Sequence, residues 1–323
     1  MTWLVTGGAG YIGSHVVKAL VEASATDPTL SPVVIDDLSS GLAEFVPDGV
    51  PFVEGSILNQ PLLENTMLQY GVTGVIHLAG FKYAGVSVTK PLHTYTQNVQ
   101  GTSLLLKAML ATGVEQLVFS SSAATFGTPD VDLVTEETPT QPESPYGESK
   151  LIGEWLIRDV GRAHDLRHTS LRYFNVVGSG ADHLYDSSPH NLFPLVFKAL
   201  AEGATPRING DDYDTPDGTC VRDYVHVADL AHSHVVAAQA LAAGKELERV
   251  YNLGSGDGAS VRQIMDAVAD VTGIDFTPEV APRRAGDPAR IVATGELARR
   301  DLDWEMRHSL RDMVASAWAS APR

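Results

Sequence analysis

The chain has 323 residues, of which 44% are hydrophobic and 20% charged, so it can bury a sizeable core as one two-lobed unit or as two domains. Its 23 basic and 40 acidic residues give a formal net charge of −17, which argues against nucleic acid or an anionic membrane as the general partner. Cys220 is the only cysteine, which excludes an internal disulfide and a cysteine-based metal site.

The first predicted element is a strand that runs into a glycine-rich turn. The apolar run at residues 2–6 is followed by Gly7, Gly10 and Gly13. Gly7 permits a tight turn, Gly10 lets the backbone approach a pyrophosphate, and Gly13 allows the next helix to pack closely on the strand. Because a helix N-terminus faces this turn, the pattern predicts a dinucleotide site.

The second predicted strand ends in an acidic residue. The run Val33-Val34-Ile35 leads into Asp36, which lies 23 residues beyond Gly13. A carboxylate at that position accepts hydrogen bonds from an adenosine ribose and repels the 2′-phosphate of NADP. We therefore expect NAD as the cofactor.

Short β-branched runs then alternate with helical stretches up to residue 174. Strands are predicted at 75–78, 117–119 and 169–174. This rhythm predicts an α/β fold with a doubly wound parallel (Rossmann) sheet, whose ligands lie beyond the carboxyl ends of the strands. We expect an NAD-binding domain at 1–174 and a smaller mixed α/β substrate-binding lobe at 175–323, some of whose segments pack back on the first domain. Helices in the lobe are predicted near 192–202, 228–243 and 260–272.

Two of these strand ends carry candidate site residues. After one strand, Leu78, Ala79 and Gly80 are small or apolar residues that can floor a cofactor, and Lys82 is either a phosphate or ribose ligand or a solvated lysine. After the next strand come three serines at 120–122, where hydroxyls would lie between nicotinamide and substrate. Ser122 can bridge to a substrate hydroxyl, whereas at least one of the three serves only backbone groups in a turn.

Tyr146 and Lys150 are four residues apart in a stretch that is predicted to be helical. Ser144 suits the N-cap and Pro145 the first helical position. On a helix, the phenol and the ammonium share one face about 5–6 Å apart. A fixed cation favours the ionised phenol, so the pair indicates a general base. Taken alone, the same spacing also occurs in ordinary surface pairs.

Together, these segments resemble the extended short-chain dehydrogenase/reductase family, and within it the 4-epimerases of UDP-hexoses. The resemblance rests on residues 6–15, 77–80, 120–122, 146–150 and 171–175, and further on 217–227, 251–256 and 281–287. It covers about residues 2 to 315. Each segment is weakly specific, but their combination is highly specific.

The resemblance implies NAD-dependent epimerisation at C4 of a UDP-hexose, UDP-glucose or UDP-galactose, through a 4-keto intermediate. It implies Tyr146 as catalytic base, Lys150 as its cationic partner and ribose ligand, and Ser122 as the hydroxyl that passes the substrate proton. The implied cofactor shell contains Gly7, Gly10, Tyr11, Ile12, Gly13, Asp36, Asp37, Ser39, Ser56, Ile57, Leu78, Ala79, Gly80, Lys82, Asn98, Tyr146, Lys150 and Tyr173. The implied substrate shell contains Ser122, Tyr146, Phe174, Asn175, Asn191, Leu192, Arg222, Arg284, Asp287 and Ile291.

Three positions depart from what members of this family often carry. Ser56 stands where an aspartate is common near the adenine edge. Asn209 stands where an aromatic residue often lies beside uracil, which leaves the strictness for uridine open. Ile291 falls where a tyrosine or a small residue would decide whether N-acetylated sugars are accepted, and isoleucine decides neither.

Two other readings remain open. One is another nucleotide-sugar epimerase, a 4,6-dehydratase or a decarboxylase of the same family. Dehydratases carry Asp-Glu directly after the strand-end hydroxyl, whereas Ser122 is followed by Ala123 and Ala124. The other is a non-catalytic NAD-binding regulator. Such proteins typically lack the tyrosine or the lysine, and this chain keeps both.

The remaining features lead to expectations about location, metals and assembly. No apolar run approaches the ~18 residues of a membrane helix, and no signal peptide precedes the first strand, so we expect a cytoplasmic protein. His232 and His234 lie two apart on a predicted helix and would not face one ion, so with His226 they are assigned structural or surface roles and no metal. The resemblance implies a homodimer, with the helix near 92–110 packing on a second subunit through Leu104–Leu106.

Overall fold

The computed structural model describes residues 2–284 and 287–322. Ala285 and Gly286, part of one family-like segment, lie outside the described residues. Eleven α-helices occur in the described chain: α1 (Tyr11–Ser24), α2 (Gln60–Tyr70), α3 (Ala84–Thr89), α4 (Pro91–Tyr95), α5 (Gly101–Thr112), α6 (Pro145–His164), α7 (Leu192–Ala201), α8 (Val227–Ala242), α9 (Val261–Thr272), α10 (Glu296–Leu302) and α11 (Leu310–Ser320).

The same residues contain fourteen short strands. They are β1 (Thr2–Thr6), β2 (Ser31–Asp36), β3 (Phe52–Glu54), β4 (Val72–His77), β5 (Gln116–Ser120), β6 (Arg167–Tyr173), β7 (Asn175–Val177), β8 (Arg207–Asn209), β9 (Val221–Arg222), β10 (Tyr224–His226), β11 (Val250–Leu253), β12 (Ala259–Ser260), β13 (Glu279–Ala281) and β14 (Arg290–Ile291).

Seven of the described strands form one sheet in the order β11-β6-β5-β4-β1-β2-β3. Every neighbouring pair in this sheet is parallel. The order reverses direction beside β1, and such a switch point is where parallel α/β sheets bind ligands. The predicted α/β fold with a doubly wound parallel sheet is therefore confirmed.

Alternate residues of the central strands face two separate cores. Trp3 and Val5 of β1 pack with α1 and α8 on one face of the sheet. Leu4, on the opposite side of the same strand, packs with α2, α5 and α6. Because helices cover both faces of the sheet, both sides of each central strand are buried, and the strand sequences are continuous apolar runs.

The helix with the tyrosine–lysine pair begins as the sequence predicts. Ser144 is its N-cap, and its Oγ accepts a hydrogen bond from the Gly147 N–H at 3.2 Å, while Pro145 occupies the first helical turn. The helix ends at His164, and its C-cap, Asp165, is in the left-handed conformation with φ 55°. The N-cap interaction fixes where the helix begins, and so fixes the position of Tyr146 in its first turn.

The chain beyond residue 174 contributes to both parts of the molecule. Strands β7 to β10 and β12 to β14 form three small sheets, and helices α7, α9 and α11 enclose a separate apolar cluster. In contrast, α8 packs on α1, and β11 completes the large sheet beside β6. The boundary between residues 174 and 175 stays a prediction.

The helix predicted near 92–110 is one continuous run with a wide turn inside it. Residues Thr96–Gln100 form a π-helical turn between α4 and α5. Leu105 and Leu106 are buried in the core of their own chain. The predicted intersubunit contact through these two leucines is therefore wrong, because they face the large sheet.

Among the described residues, no helix is both long and apolar enough to cross a membrane. The same residues contain no group of three or more His, Cys, Asp or Glu side chains that could hold a metal ion. His234 is fully buried, and His226 is buried and stacks on His308 with ring centroids 3.9 Å apart.

Candidate active site

A cavity of about 1010 Å³ lies at the carboxyl ends of the central strands, between the large sheet and the lobe. Most of the predicted site residues line it: Gly7, Gly10, Tyr11, Ile12, Gly13, Asp36, Asp37, Ser39, Ile57, Leu78, Ala79, Gly80, Lys82, Tyr146, Lys150, Tyr173, Phe174, Asn175, Asn191, Leu192, Arg222, Arg284 and Asp287. Residues of the predicted cofactor shell and of the predicted substrate shell therefore line the same cavity.

Two positions of the glycine turn leave no room for a side chain. Gly7 has φ 75°, and a Cβ on it would lie 2.7 Å from the Ala79 nitrogen. A Cβ on Gly13 would collide with the Gly7 carbonyl. Gly10 is the N-cap of α1, and no side chain caps this helix end. Its free N–H groups and the bare backbone form a cradle suited to a pyrophosphate.

Asp36 ties the glycine turn to the second strand. Its Oδ2 accepts from the Ala9 N–H at 3.0 Å and its Oδ1 from the Leu38 N–H at 2.9 Å. Burial raises the pKa of this carboxyl, and the two backbone hydrogen bonds oppose the shift. Each oxygen has a further lone pair, so the carboxylate can still accept ribose hydroxyls.

Lys82 lines the cavity within electrostatic range of two carboxylates, Asp186 and Asp36. Burial lowers the pKa of Lys82, whereas the charges of Asp186 and Asp36 raise it. Asp186 comes from the lobe and accepts a hydrogen bond from the Asn191 side-chain amide at 2.7 Å. Lys82 lines the cavity, but its side chain is exposed, so the structure leaves both the ligand role and the solvated alternative open.

Tyr146 and Lys150 share one face of α6, as predicted, and Lys150 Nζ lies 6.0 Å from the centre of the phenol ring. Lys150 is buried, and its Nζ donates to the Ser120 carbonyl at 2.8 Å. Burial lowers the pKa of Lys150 to about 8, against the charge of Glu154.

The pKa of Tyr146 departs from the expectation drawn from the sequence. Burial raises it, and the hydrogen bond with Ser122 lowers it by less. Lys150 is not among the groups that shift this pKa. The expectation that Lys150 lowers the Tyr146 pKa is therefore not met by the protein's own groups.

A buried ion pair holds α6 on the large sheet. Arg172 donates to both oxygens of Glu154 at 2.9 and 2.6 Å, and the two side chains are each only 6% exposed. The Ser121 hydroxyl donates to Glu154 at 2.5 Å. These bonds join α6 to β5 and β6, so the helix with Tyr146 is held firmly on the sheet.

A second buried network reaches the cavity wall at Tyr173. The Ser120 Oγ lies 3.1 Å from the Tyr173 hydroxyl and 2.9 Å from His234 Nε2. Burial raises the pKa of Tyr173, with a smaller contribution from nearby Tyr146. Sequence reasoning assigned His234 no part in the site, because helix α8 is remote in sequence from the strand ends.

The far end of the cavity is built by side chains from the lobe. Arg222 donates to Asp287 at 2.7 Å, and the two side chains are 15% and 29% exposed. Asn209, with its amide oxygen oriented toward Arg284, accepts from that guanidinium at 3.2 Å. Arg222 and Arg284, together with Arg207, therefore bring guanidinium groups to the cavity of a strongly acidic protein.

Four predicted site residues lie outside the cavity lining. Ser56 accepts from the Leu58 N–H, and Asn98 bonds to the backbone of Phe81 and to Ser149. Ser122 caps the short turn Ala123–Thr125 beside Tyr146. Ile291 and Phe174 pack on one small cluster, formed by Phe126, Val134 and Ala293. Asn98 and Ile291 therefore do not line the cavity, and they affect its shape only by supporting neighbouring segments that do.

Sequence reasoning missed several residues of the wall. They include Tyr83, His93, Asp186, His190, Phe193 and Tyr224. Only Phe193 and Tyr224 adjoin motifs that the sequence reading had singled out. His190 reaches the wall because its ring packs edge to face on Tyr83, with centroids 5.0 Å apart. No local pattern signals such a contact between distant loops.

A bare glycine cradle, an acidic strand end and a tyrosine–lysine helix on one cavity define a nicotinamide-dependent enzyme of the short-chain dehydrogenase/reductase type. The family model described as "NAD dependent epimerase/dehydratase family" matches residues 3–254. The chain belongs to this family.

Full-length relatives share this architecture. The "UDP-glucose 4-epimerase" of Corynebacterium glutamicum is 44% identical, over 99% of this chain and 95% of that protein. The crystal structure of UDP-glucose 4-epimerase from Brucella ovis in complex with NAD is 39% identical, with a TM-score of 0.93 over 98% of this chain and 97% of that one. The enzyme from Bifidobacterium longum in complex with NAD+ and UDP is 36% identical, with a TM-score of 0.89 over 99% and 98% of the two chains.

Proposed function

We propose that the chain is a UDP-glucose 4-epimerase that uses NAD to interconvert UDP-glucose and UDP-galactose through a 4-keto sugar. One observation carries this function: Tyr146 and Lys150 stand in the wall of a single cavity that joins the glycine cradle to Arg222 and Arg284. The full-length relatives in Corynebacterium glutamicum and Brucella ovis carry the same name.

The dinucleotide end of the cavity fits NAD. The bare N-terminus of α1 suits the pyrophosphate, and Asp36 suits the adenosine ribose and repels a 2′-phosphate. Bound NAD supplies the hydride acceptor and later the hydride donor for C4 of the sugar, together with a positive charge beside Tyr146. The burial that raises the Tyr146 pKa makes that charge necessary for forming the phenolate.

Tyr146 takes the proton of the C4 hydroxyl and later returns it, and Ser122 relays that proton. Lys150 keeps its ammonium beside the phenol by donating to the Ser120 carbonyl. After the 4-keto sugar turns over in the cavity, the same groups act on its opposite face. The configuration at C4 is inverted without net oxidation.

Arg222 and Arg284 hold the nucleotide diphosphate while the sugar rotates. Guanidinium groups form bidentate, charge-assisted hydrogen bonds with phosphate oxygens, and these bonds are strong where water is excluded. The Arg222–Asp287 ion pair is partly exposed, so its guanidinium is available to an anion from the cavity.

The turn after β5 argues against a 4,6-dehydratase. Ser122 is followed by Ala123 and Ala124, which form a short 3₁₀ turn and carry no acid or base. A 4,6-dehydratase needs an acid and a base at C5 and C6 of the sugar. Because both positions are alanines, elimination has no catalyst there.

A coupled assay of the purified protein tests the proposed function. UDP-galactose should be converted without added reductant, and UDP-N-acetylgalactosamine and UDP-xylose in parallel reactions would rank the accepted sugars. Accumulation of a 4-keto-6-deoxy product, or no turnover of UDP-galactose by protein that holds NAD, would contradict the proposal.

We also propose a homodimer through the outer faces of α4, α5 and α6. Leu92 is 82% exposed, and Leu110 and Trp155 are 40% and 46% exposed. These apolar side chains lie on the helices that cover one face of the sheet, and burying them against a second copy would be favourable. Light scattering should show a dimer at micromolar concentration, and a monomer would overturn this proposal. The cytoplasmic location stays a prediction.

A further inference from the structure

Two buried side chains and one partly buried tyrosine form a hydrogen-bonded series that ends at the cavity wall. His234 on α8 and Ser120 at the end of β5 are 0% and 1% exposed. Tyr173 at the end of β6 lines the cavity, close enough to Tyr146 for the two phenols to interact electrostatically. The mechanism above assigns no step to this series.

The histidine fixes which group donates in this series. Its Nδ1 lies 2.9 Å from the Leu230 carbonyl, and a carbonyl only accepts, so Nδ1 carries the proton. Burial lowers the pKa of His234 to about 4, so the ring is neutral near pH 7 and Nε2 is a bare acceptor. Ser120, 2.9 Å from Nε2, must therefore donate to it.

The donor role of Ser120 determines the direction of its hydrogen bond with Tyr173. A hydroxyl has one proton, and Ser120 gives it to His234. The Tyr173 hydroxyl, 3.1 Å from Ser120 Oγ, must therefore donate to Ser120. Its proton points into the protein, and the oxygen lone pairs are left toward the cavity. The same serine holds Lys150 through its backbone carbonyl, at 2.8 Å.

We propose that His234 is a positioning residue that, through Ser120, orients the Tyr173 hydroxyl with its negative end toward the nicotinamide ring and so favours oxidised NAD. This inference rests on the proposed function, because it needs the nicotinamide beside Tyr146 and Lys150. The oxidised ring carries a positive charge and the reduced ring is neutral. A fixed negative dipole end therefore stabilises the oxidised form selectively.

This orientation matters for an enzyme that must return its hydride in every cycle. A cofactor that stays reduced after a keto sugar escapes is inactive, so the balance between the two redox forms sets how often catalysis stalls. The network acts on that balance without touching the substrate. His234 lies too deep to contact any ligand in the cavity.

The test measures the redox balance of nicotinamide bound to the holoenzyme. Wild type, His234→Phe, Ser120→Ala and Tyr173→Phe are equilibrated with a redox dye of known potential, and reduced nicotinamide is read by its near-ultraviolet absorbance. Each variant should raise the ratio of reduced to oxidised cofactor about three- to tenfold, the range of one ordinary hydrogen bond. His232→Phe is the matched control, because His232 lies on the same helix but lines a separate small cavity with His15 and Lys18. It should leave the ratio unchanged.

A double variant separates orientation from a general structural effect. If His234 acts through the phenol, His234→Phe should change nothing further in a Tyr173→Phe background. An equal effect in both backgrounds, or an unchanged ratio in Ser120→Ala, would overturn the inference. Ser120→Ala keeps the backbone carbonyl that holds Lys150, so it gives the same test if His234→Phe does not fold. Protein that binds no nicotinamide would instead contradict the proposed function.

Discussion

The two ends of the cavity are suited to anions by different means. At the dinucleotide end, backbone groups of the turn from Gly7 to Gly13 and the bare N-terminus of α1 form the site. At the sugar-nucleotide end, the side chains of Arg222 and Arg284 form it, and the paired Asp287 is 29% exposed. A site made of backbone is as rigid as the fold, whereas a site made of long side chains can open and close.

This difference matches the two ligands of the proposed reaction. The cofactor is regenerated in each cycle and should stay bound, so a rigid cradle suits it. The UDP-sugar must enter and leave, so it is held by side chains that have other partners in its absence. The contrast with Arg172 and Glu154 is instructive, because that pair is 6% exposed on both sides and serves only to fix α6.

The largest effect is expected at the backbone end. Gly13→Ala should abolish NAD binding and destabilise the protein, because its Cβ would collide with the Gly7 carbonyl. Gly10→Ala is the matched variant, since its Cβ would meet only the Gly7 oxygen at 3.3 Å. It should fold but bind NAD poorly. Thermal unfolding and the cofactor content of purified protein check both, and NAD retained at wild-type level in Gly13→Ala would break the comparison.

The next largest effect is expected where the two ends meet. Tyr146→Phe should reduce epimerisation more than a hundredfold while bound NAD is retained, because the base is lost and the cradle is untouched. Turnover of UDP-galactose and the absorbance of the bound cofactor measure the two consequences separately. Near-normal turnover would show that another group takes the C4 proton.

A smaller effect is expected at the side-chain end. Arg284→Ala should weaken UDP and UDP-sugar alike by about ten- to a hundredfold, the range for a hydrogen bond with a charged group, and leave NAD content unchanged. Arg283→Ala is the control, because Arg283 packs on Tyr213 and pairs with Asp212 outside the cavity wall. Calorimetric titration with UDP measures both variants. Equal UDP affinity in wild type and Arg284→Ala would place the diphosphate elsewhere.

The dinucleotide end could be predicted from the sequence because its determinants are local. Gly10, Gly13 and the Ser144 cap each act within a few residues of chain, so their spacing indicates their role. The parallel sheet followed from the alternation of strands and helices in the same way.

The rest of the site depends on contacts between distant segments. Asp186 acts on Lys82 electrostatically from a distant loop, and His234 contacts Ser120 over 114 positions of sequence. The direction in which the protein's own groups shift the pKa of Tyr146 could not be predicted from the sequence for the same reason. The Ser120 carbonyl that takes the Lys150 ammonium, and the burial around the phenol, are both products of the tertiary structure.

The central claim is that a hydride is removed from C4 and returned to it within one cavity. The most direct test is to epimerise UDP-galactose in deuterium oxide and examine C4 of the product by NMR. We expect ordinary hydrogen at C4, because the hydride is held on the cofactor and never exchanges with solvent. Deuterium at C4 would contradict it, since it would show that the carbon is deprotonated and then reprotonated from water.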